Sequence, residues 1–206
     1  MNTENDRNKR KVLVCDPIHF DSARSYVTDF IISECNLTPN ARFLDLGCGV
    51  LRVGLPIIDY LNVGNFYGYD LCPYRIDEAK KELQEFGDPS KRPILTSDWS
   101  EITGRFNNRK FDFVWSYQVL IHVPDDELFK IIDRIKQALA DDGVALVSVN
   151  INTKQFPKDL RWREYPFVVR PLDFYKEAFD RVNLDFEMNS KWKPTNGERI
   201  LKVWHN

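Results

Sequence analysis

The chain has 206 residues, of which 43% are hydrophobic and 29% are charged, and its net charge at pH 7 is -2. This length is enough for one full-sized domain with a single core and too short for two comfortable ones, so we expect one domain over residues 1–206. The near-neutral charge provides no strong basic field, which argues against nucleic acid and against an anionic membrane surface as binding partners.

Cysteine usage and hydropathy indicate the compartment. The four cysteines contain no CxxC pair, which argues against a metal cluster or a disulfide framework and suits a reducing cytosol. No apolar run approaches the roughly 18 residues of a membrane span, and the polar first residues lack a signal-peptide core. We therefore expect a cytoplasmic protein that holds no metal and does not enter a membrane.

The first forty residues are expected to form a tail and a helical lid. Residues 1–11 are polar and charged and offer almost nothing to bury, so they predict a mobile tail. Residues 12–40 are expected to form an N-terminal helical lid, because apolar residues recur at helical spacing from Asp21 to Cys35.

After residue 40, predicted strands and helices alternate. Short apolar runs are typical of buried strands, and apolar stripes at helical spacing predict the helices between them. The last two predicted strands have no clear helix between them. This order predicts an α/β fold: a Rossmann-like, doubly wound, mostly parallel seven-stranded sheet that ends in a C-terminal antiparallel hairpin. Strands are predicted at residues 42–46, 65–70, 93–96, 111–116, 144–149, 183–188 and 199–204, and the helices between them at 50–61, 74–86, 125–140 and 171–180.

The turn after the first predicted strand reads Asp45-Leu46-Gly47-Cys48-Gly49. Sheets of this kind bind ligands beyond the carboxyl ends of their strands, so this turn is a candidate binding loop. Gly47 and Gly49 lack Cβ atoms, which allows a sharp turn and a close approach of a ligand. Asp45 could orient the loop or accept hydrogen bonds from a cationic group. The dinucleotide pattern GxGxxG fails, because its third glycine would fall on Arg52, and this disfavours nicotinamide and flavin cofactors.

An acidic residue also stands at the end of each of the next two predicted strands, Asp70 as the last residue of one and Asp98 two residues after the other. Asp70 is placed to accept hydrogen bonds from both ribose hydroxyls of an adenosine, and the alternative is a cap for the helix that follows. Asp98 could accept a hydrogen bond from an adenine amino group while Trp99 stacks on the ring. The alternative for this pair is a helix cap followed by a core tryptophan.

Taken together, these residues resemble the class I S-adenosylmethionine-dependent methyltransferases. Residues 43–49 look like the cofactor loop of that family, Asp70 and Asp98 match its acidic residues, and residues 111–124 look like its fourth-strand signature. The resemblance covers about residues 43–150. It implies methyl transfer from the cofactor S-adenosylmethionine to a small-molecule acceptor. The cofactor-binding residues that it implies are Asp45, Gly47, Cys48, Gly49, Asp70, Leu71, Asp98, Trp99, Ser116 and Tyr117.

The acceptor side is less specific. The sulfonium methyl of the cofactor is electrophilic, so the protein must mainly hold a nucleophile in line with it, and a base is needed only if the acceptor carries a proton. His122 is the candidate base, and a structural hydrogen bond is its alternative role. Residues 151–170 are the expected substrate-side insertion. Their aromatic and cationic side chains suit an anionic small molecule, and a solvated loop is the alternative.

Two further functions stay open at this point. A non-catalytic scaffold could bind S-adenosylmethionine and activate a partner enzyme, and a nucleotide-linked oxidoreductase could use the same fold. The expected partner is a small-molecule acceptor, and the chain is expected to be a monomer or a homodimer.

Overall fold

The computed structural model of the chain describes residues 3–13, 17–104, 109–151, 168–192 and 198–206. The chain divides into two compact units, residues 1–107 and residues 108–206. None of the described helices has the length and apolar character needed to cross a membrane.

The first unit builds three parallel strands with helices between them. β1 pairs with β2, and β2 pairs with β3, all in parallel. All four residues of β1, including the carboxyl-bearing Asp45, are buried, as expected of a strand inside a parallel sheet. A π-helical turn, Phe30–Glu34, directly follows α2. The elements are α1 (Thr3–Lys11), α2 (Pro17–Asp29), β1 (Phe43–Leu46), α3 (Gly54–Tyr60), β2 (Phe66–Tyr69), α4 (Pro73–Phe86), β3 (Ile94–Thr96) and α5 (Trp99–Thr103).

The second unit builds two parallel strands followed by an antiparallel pair. β4 and β5 are parallel, whereas β7 runs antiparallel to both β5 and β6. Helix α6 buries an apolar stripe that contains Leu128, Ile132 and Ile135, the pattern from which it was predicted. The elements are β4 (Phe111–Ser116), α6 (Asp125–Ala138), β5 (Leu139–Asn150), α7 (Leu172–Asp180), β6 (Leu184–Met188) and β7 (Glu198–His205).

The seven strands form a mixed sheet in the order β3-β2-β1-β4-β5-β7-β6. The sheet is mostly parallel, it alternates with helices along the chain, and its last two strands are antiparallel. This confirms the predicted fold class. The predicted single domain stays a prediction, as does the lid over residues 12–40.

The structure differs from the expectation of a tail at the N-terminus. Residues 3–11 form α1, and Arg10 on this helix is buried and donates a hydrogen bond to Glu82 of α4 at 3.1 Å. The expectation was based on the lack of apolar residues to bury. It missed the burial of charged side chains by ion pairing with a distant helix, which local periodicity does not show.

The structure also differs at residues 141–143, which lie between the helix predicted at 125–140 and the strand predicted at 144–149. The helix ends earlier, at Ala138, and β5 runs through all three residues. A Cβ at Gly143 would lie 2.7 Å from the carbonyl oxygen of Phe111. The glycine is therefore required by the close approach of β4.

Most of the expected substrate-side insertion cannot be compared with the structure. Residues 152–167 lie outside the described residues. From the end of the segment, Val168 and Arg170 are described, and both are buried.

Candidate functional site

The loop after β1 is held to the end of β2 by its own backbone. The N–H groups of Gly47 and Cys48 both donate to the carbonyl of Tyr69, at 2.7 and 3.0 Å. Gly47 has φ 92° and Gly49 has φ 53°, a backbone region that favours glycine because other residues meet a steric cost there. The two glycines predicted to make a sharp turn therefore do so.

The carboxylate of Asp70 fixes the far side of this loop. Its Oδ2 accepts a hydrogen bond from the N–H of Gly49 at 3.0 Å, and its Oδ1 accepts one from the N–H of Cys72 at 3.0 Å. Burial raises the pKa of Asp70, while the two N–H donors and the charge of Arg75 act in the opposite direction. Asp70 thus links the glycine loop to Cys72, the N-cap residue of α4, and its Oδ1 also lies 3.9 Å from Nη1 of Arg75. Each carboxylate oxygen can accept a second hydrogen bond.

Asp45 places a second buried carboxyl beside Asp70. It lies on β1 and is 4% exposed. Burial, followed by the negative charge of Asp70, raises the pKa of Asp45 to about 7, and the charge of Arg52 opposes the shift. The Asp45 carboxyl therefore changes charge near neutral pH. A cationic group bound beside it would favour the ionised form.

Cys48 contributes to the loop through its backbone and its packing. Its side chain is buried, and burial together with the charges of Asp45 and Asp70 raises the pKa of the thiol well above its usual range. A thiol in this environment stays protonated and unreactive. A Cβ at Gly68 would lie 2.8 Å from Cδ2 of Leu95 and 3.0 Å from the Cys48 sulfur, which explains the glycine in the middle of β2.

Three predicted cofactor-binding residues, Leu71, Asp98 and Trp99, follow the carboxyl ends of β2 and β3. Leu71, next to Asp70, is 62% exposed. Asp98 is exposed, and its carboxylate accepts a hydrogen bond from the N–H of Ser100 at 2.8 Å, which caps α5. The side chain of Ser100 and then its N–H lower the pKa of Asp98. Trp99 meets the ring of Tyr69 edge to face, with ring centroids 5.2 Å apart. The capping role considered for Asp98 is therefore present, and it leaves the carboxylate charged and open to solvent.

The residues expected from the fourth strand lie in the second unit. Ser116 ends β4 and is fully buried. The ring of Tyr117 stacks on Trp115 at a centroid distance of 5.4 Å, and its hydroxyl donates to Oε2 of Glu198 at 3.4 Å. Sequence reasoning missed Glu198, because 81 residues separate it from Tyr117.

His122 ends a 3-10 turn, Leu120–His122, that a buried arginine holds in place. Arg170 donates to the carbonyls of Leu120 and Val123, at 3.0 and 2.7 Å, and to the carboxylate of Asp125 at 2.9 Å. By its position, Arg170 is one of the cations of the expected substrate-side insertion, residues 151–170. Its guanidinium instead fixes the backbone around His122.

The residues around the glycine loop fit a nucleoside that carries a cationic group. The two left-handed glycines remove the Cβ atoms that would block a close approach, and Asp45 and Asp70 supply acceptors for a cation and for hydroxyl groups. Within the ranges that the structure describes, no group of three or more histidine, cysteine or acidic side chains is arranged to hold a metal ion.

Comparison with known proteins assigns this arrangement to a class. The family described as a methyltransferase domain matches residues 43–143, which include the glycine loop, Asp70, Asp98 and β4. This part of the chain therefore matches the methyltransferase-domain family, and the solved structures that share its fold include S-adenosylmethionine-dependent methyltransferases.

Among curated proteins, the chain is similar to methyltransferases named for different acceptors. It is 25% identical over 129 residues to a sterol 4-C-methyltransferase of Caenorhabditis elegans, a match that covers 63% of this chain and 37% of the relative. It is 22% identical over 195 residues to a phosphoethanolamine N-methyltransferase of Plasmodium falciparum, covering 86% of this chain and 71% of the relative. The chain thus spans little more than a third of the sterol methyltransferase.

Solved structures share the whole fold at low sequence identity. The magnesium protoporphyrin IX methyltransferase of Synechocystis, crystallised with S-adenosylmethionine, has a TM-score of 0.67 and 17% identity over 100% of this chain and 92% of its own. A methyltransferase of Clostridium acetobutylicum has a TM-score of 0.68 and 17% identity, with both chains fully covered. The [4+2]-cyclase SpnF has a TM-score of 0.62 and 19% identity over 79% of this chain and 60% of its own.

Proposed function

We propose that this chain transfers the methyl group of S-adenosylmethionine to a small-molecule acceptor. The observation that carries the proposal is the glycine loop, in which Gly47 and Gly49 adopt left-handed backbone angles and Asp70 binds the N–H of Gly49. The family that residues 43–143 match supports the same reaction. When bound, the cofactor supplies an electrophilic methyl group on a sulfonium sulfur.

Each residue around the loop has a separate role in this proposal. The backbone of residues 47–49 lies against the cofactor, and Asp45 balances its ammonium charge. Asp70 accepts hydrogen bonds from the ribose, for which its remaining lone pairs are available. The exposed side chain of Leu71 and the ring of Trp99 cover the adenine, while Asp98 accepts a hydrogen bond from its amino group.

Three predicted site residues, Ser116, Tyr117 and His122, lie in the second unit. Ser116, which ends β4, and Tyr117, which follows it, stay predicted cofactor-binding residues. His122 is proposed to take a proton from the acceptor where the acceptor carries one, and the contacts of Arg170 keep its turn in place.

The acceptor itself is not given by the relatives. Their names specify a sterol carbon, a phosphoethanolamine nitrogen and, for a relative from Drosophila melanogaster, a protein N-terminus. The expectation of an anionic acceptor was based largely on residues outside the described ranges, and it stays a prediction. So do the cytoplasmic location and the choice between monomer and homodimer.

The test of this proposal is the binding of S-adenosylhomocysteine, measured by isothermal titration calorimetry. Asp70→Asn removes the charge behind the loop, and we expect it to weaken binding by about tenfold or more, because charge-assisted hydrogen bonds contribute about 1.5–3 kcal/mol. The matched control is Asp77→Asn, which removes the same charge from an exposed position on α4. Unchanged affinity in a folded Asp70→Asn variant would contradict the cofactor assignment.

A second candidate function is cofactor binding without methyl transfer. The fold is similar to that of the [4+2]-cyclase SpnF, whose name describes a reaction other than methyl transfer. This similarity supports cofactor binding without methyl transfer as an alternative function. Incubation with labelled S-adenosylmethionine and a panel of amine, hydroxyl and thiol acceptors distinguishes methyl transfer from cofactor binding alone. Formation of S-adenosylhomocysteine that depends on an acceptor supports the transferase, and binding with no transfer to any member of the panel supports the scaffold.

A further inference from the structure

Leu51, two residues after the glycine loop, has a strained backbone. Its φ is 61°, in the left-handed region that Gly47 and Gly49 adopt without steric cost. In a residue that carries a side chain, this conformation brings Cβ too close to the following carbonyl oxygen. Such strain persists only where the surrounding structure enforces it, and it is concentrated at functional sites. The position of Leu51 beside the proposed cofactor loop therefore calls for an account of what enforces its conformation.

The side chain of Leu51 is fully buried between the start of α3 and β2. A Cβ placed on Gly54, the first residue of α3, would lie 2.6 Å from Cδ2 of Leu51 and 3.0 Å from Cζ of Phe66. The Leu51 side chain and the Phe66 ring therefore both lie over Gly54, in space that a side chain at residue 54 would fill. The Phe66 ring in turn stacks on Phe43 of β1 at a centroid distance of 5.7 Å. These contacts hold the Leu51 side chain in one place.

The backbone of Leu51 joins the glycine loop to α3. Its N–H donates to the carbonyl of Cys48 at 3.0 Å, and its own carbonyl accepts a hydrogen bond from the N–H of Leu55 at 3.2 Å. The angle φ of Leu51 sets the direction of the chain after it relative to the loop before it. Because four of the seven residues of α3 are buried, a change to an ordinary negative φ would move the loop rather than the helix.

We propose that Leu51 is a positioning residue for the cofactor, whose side chain, packed over Gly54 beside Phe66, holds the glycine loop in its binding conformation before the cofactor arrives. The effect on the cofactor rests on the proposed function, whereas the strain does not. A loop that is already held in the bound conformation loses less conformational entropy on binding, which increases affinity. A glycine at residue 51 would relieve the strain, but it would leave the space over Gly54 empty and free the loop to adopt other conformations.

The strain is tested by the order of stability of alanine and glycine at this position. Leu51→Ala keeps a Cβ in the left-handed region and Leu51→Gly removes it, so we expect Leu51→Gly to have the higher Tm. The matched control is Leu61, which is also fully buried in the first unit but has φ -75°. There the ordinary order is expected, with Leu61→Ala the more stable variant. A higher Tm for Leu51→Ala than for Leu51→Gly would overturn the proposal.

The positioning role is tested with the same four variants by calorimetric titration with S-adenosylhomocysteine. We expect Leu51→Ala to bind about tenfold more weakly, because alanine must be driven into the left-handed conformation on binding. Leu51→Gly reaches this conformation without strain and is expected to lose about threefold, through the flexibility of the loop. Both Leu61 variants should lose stability and keep the affinity of the unchanged chain. An affinity loss at Leu61 as large as that at Leu51 would mean that binding only follows stability, and the positioning role would be wrong.

The unchanged chain separates this proposal from the proposed function. If it binds S-adenosylhomocysteine and both Leu51 variants bind equally well, the positioning role is wrong and the cofactor proposal stands. If it does not bind S-adenosylhomocysteine, the proposed function is contradicted and the positioning role with it, while the order of Tm at residue 51 still shows whether the backbone is strained. If Leu51→Ala does not fold and Leu51→Gly does, the strain is supported, and the affinity of Leu51→Gly decides the positioning role.

Discussion

The protonation state of the Asp45 carboxyl depends on the charge of the group that binds beside the glycine loop. Burial and the charge of Asp70 raise the pKa of its carboxyl to about 7 from an ordinary value of 3.8. A carboxyl whose pKa is higher in the folded chain than in the unfolded chain opposes folding once the unfolded form ionises. The unliganded chain is therefore expected to lose stability as the pH rises from about 4 to about 7.

The same linkage predicts that cofactor affinity depends on pH. Because a bound ammonium or sulfonium favours the ionised Asp45, we expect the dissociation constant of S-adenosylmethionine to fall by up to about tenfold between pH 6 and pH 8, as expected for one group with a pKa near 7. Asp45→Asn keeps the size of the side chain and removes the titrating group, so it is expected to flatten this dependence.

Calorimetric titrations at pH 6, 7 and 8 measure the effect. The cofactor has titrating groups of its own, and Asp77→Asn, with the same substitution at an exposed position, controls for them by retaining the full pH dependence. A pH dependence that is as steep in Asp45→Asn as in the unchanged chain would exclude Asp45 as the linked group.

At the scale of elements, one buried carboxylate joins the N-terminal helices to the rest of the first unit. Glu82 on α4 is 1% exposed and accepts hydrogen bonds from Arg7 and Arg10 of α1, both at 3.1 Å, and from Arg24 of α2 at 3.3 Å. Arg24 also donates through Nε to the carbonyl of Arg52 at 2.7 Å. Since Arg52 closely follows the glycine loop, the two N-terminal helices are linked to the backbone next to the proposed cofactor site.

Neutralising this carboxylate should loosen α1 and α2. Glu82→Gln leaves three arginines without their shared negative partner, and the loss of one partner from a buried ion pair typically costs about 3 kcal/mol. We expect a drop of this size in the free energy of unfolding, measured by urea denaturation, with faster hydrogen exchange in α1. Glu101→Gln on exposed α5 is the control. Unchanged exchange in α1 would show that its position does not depend on Glu82.

These contacts also explain which elements could be predicted from sequence. β4 was predicted with the bounds that the structure shows, and β1 and β2 to within one residue at either end, because each is a local apolar run. Helix α1 was missed because its burial comes from Glu82, which is 72 residues from Arg10 in sequence. The extent of β5 was missed for the same reason, because Gly143 is required by the backbone of Phe111 on the neighbouring strand β4.

Some features of the candidate site could also be predicted from sequence, and others could not. Gly47 and Gly49 were predictable because a sharp turn after a strand selects glycine, and Asp70 because it ends the next strand. The raised pKa of Asp45 was not predictable, since it arises from burial and from a carboxylate brought close by folding. The contacts of Tyr117 with Trp192 and Glu198 were missed because both residues lie far from Tyr117 along the chain.

At the scale of the whole molecule, each unit contains part of the matched family segment. Residues 43–107 of that segment lie in the first unit and residues 108–143 in the second. The strand order also draws on both units. The sequence prediction of a single domain over residues 1–206 implies that neither unit is stable alone.

A single domain predicts one cooperative unfolding transition, and two probes can follow the two units separately. Four of the five tryptophans lie within residues 108–206, so tryptophan fluorescence reports mainly on the second unit, whereas far-UV circular dichroism also follows α1 to α5 of the first. S-adenosylhomocysteine at a hundred times its dissociation constant should stabilise the folded chain by about 2.7 kcal/mol and raise Tm by about 5–10 °C. If the units unfold together, both probes give the same Tm and the same increase. A transition seen by fluorescence that the ligand leaves in place would instead show that residues 108–206 unfold independently of the glycine loop.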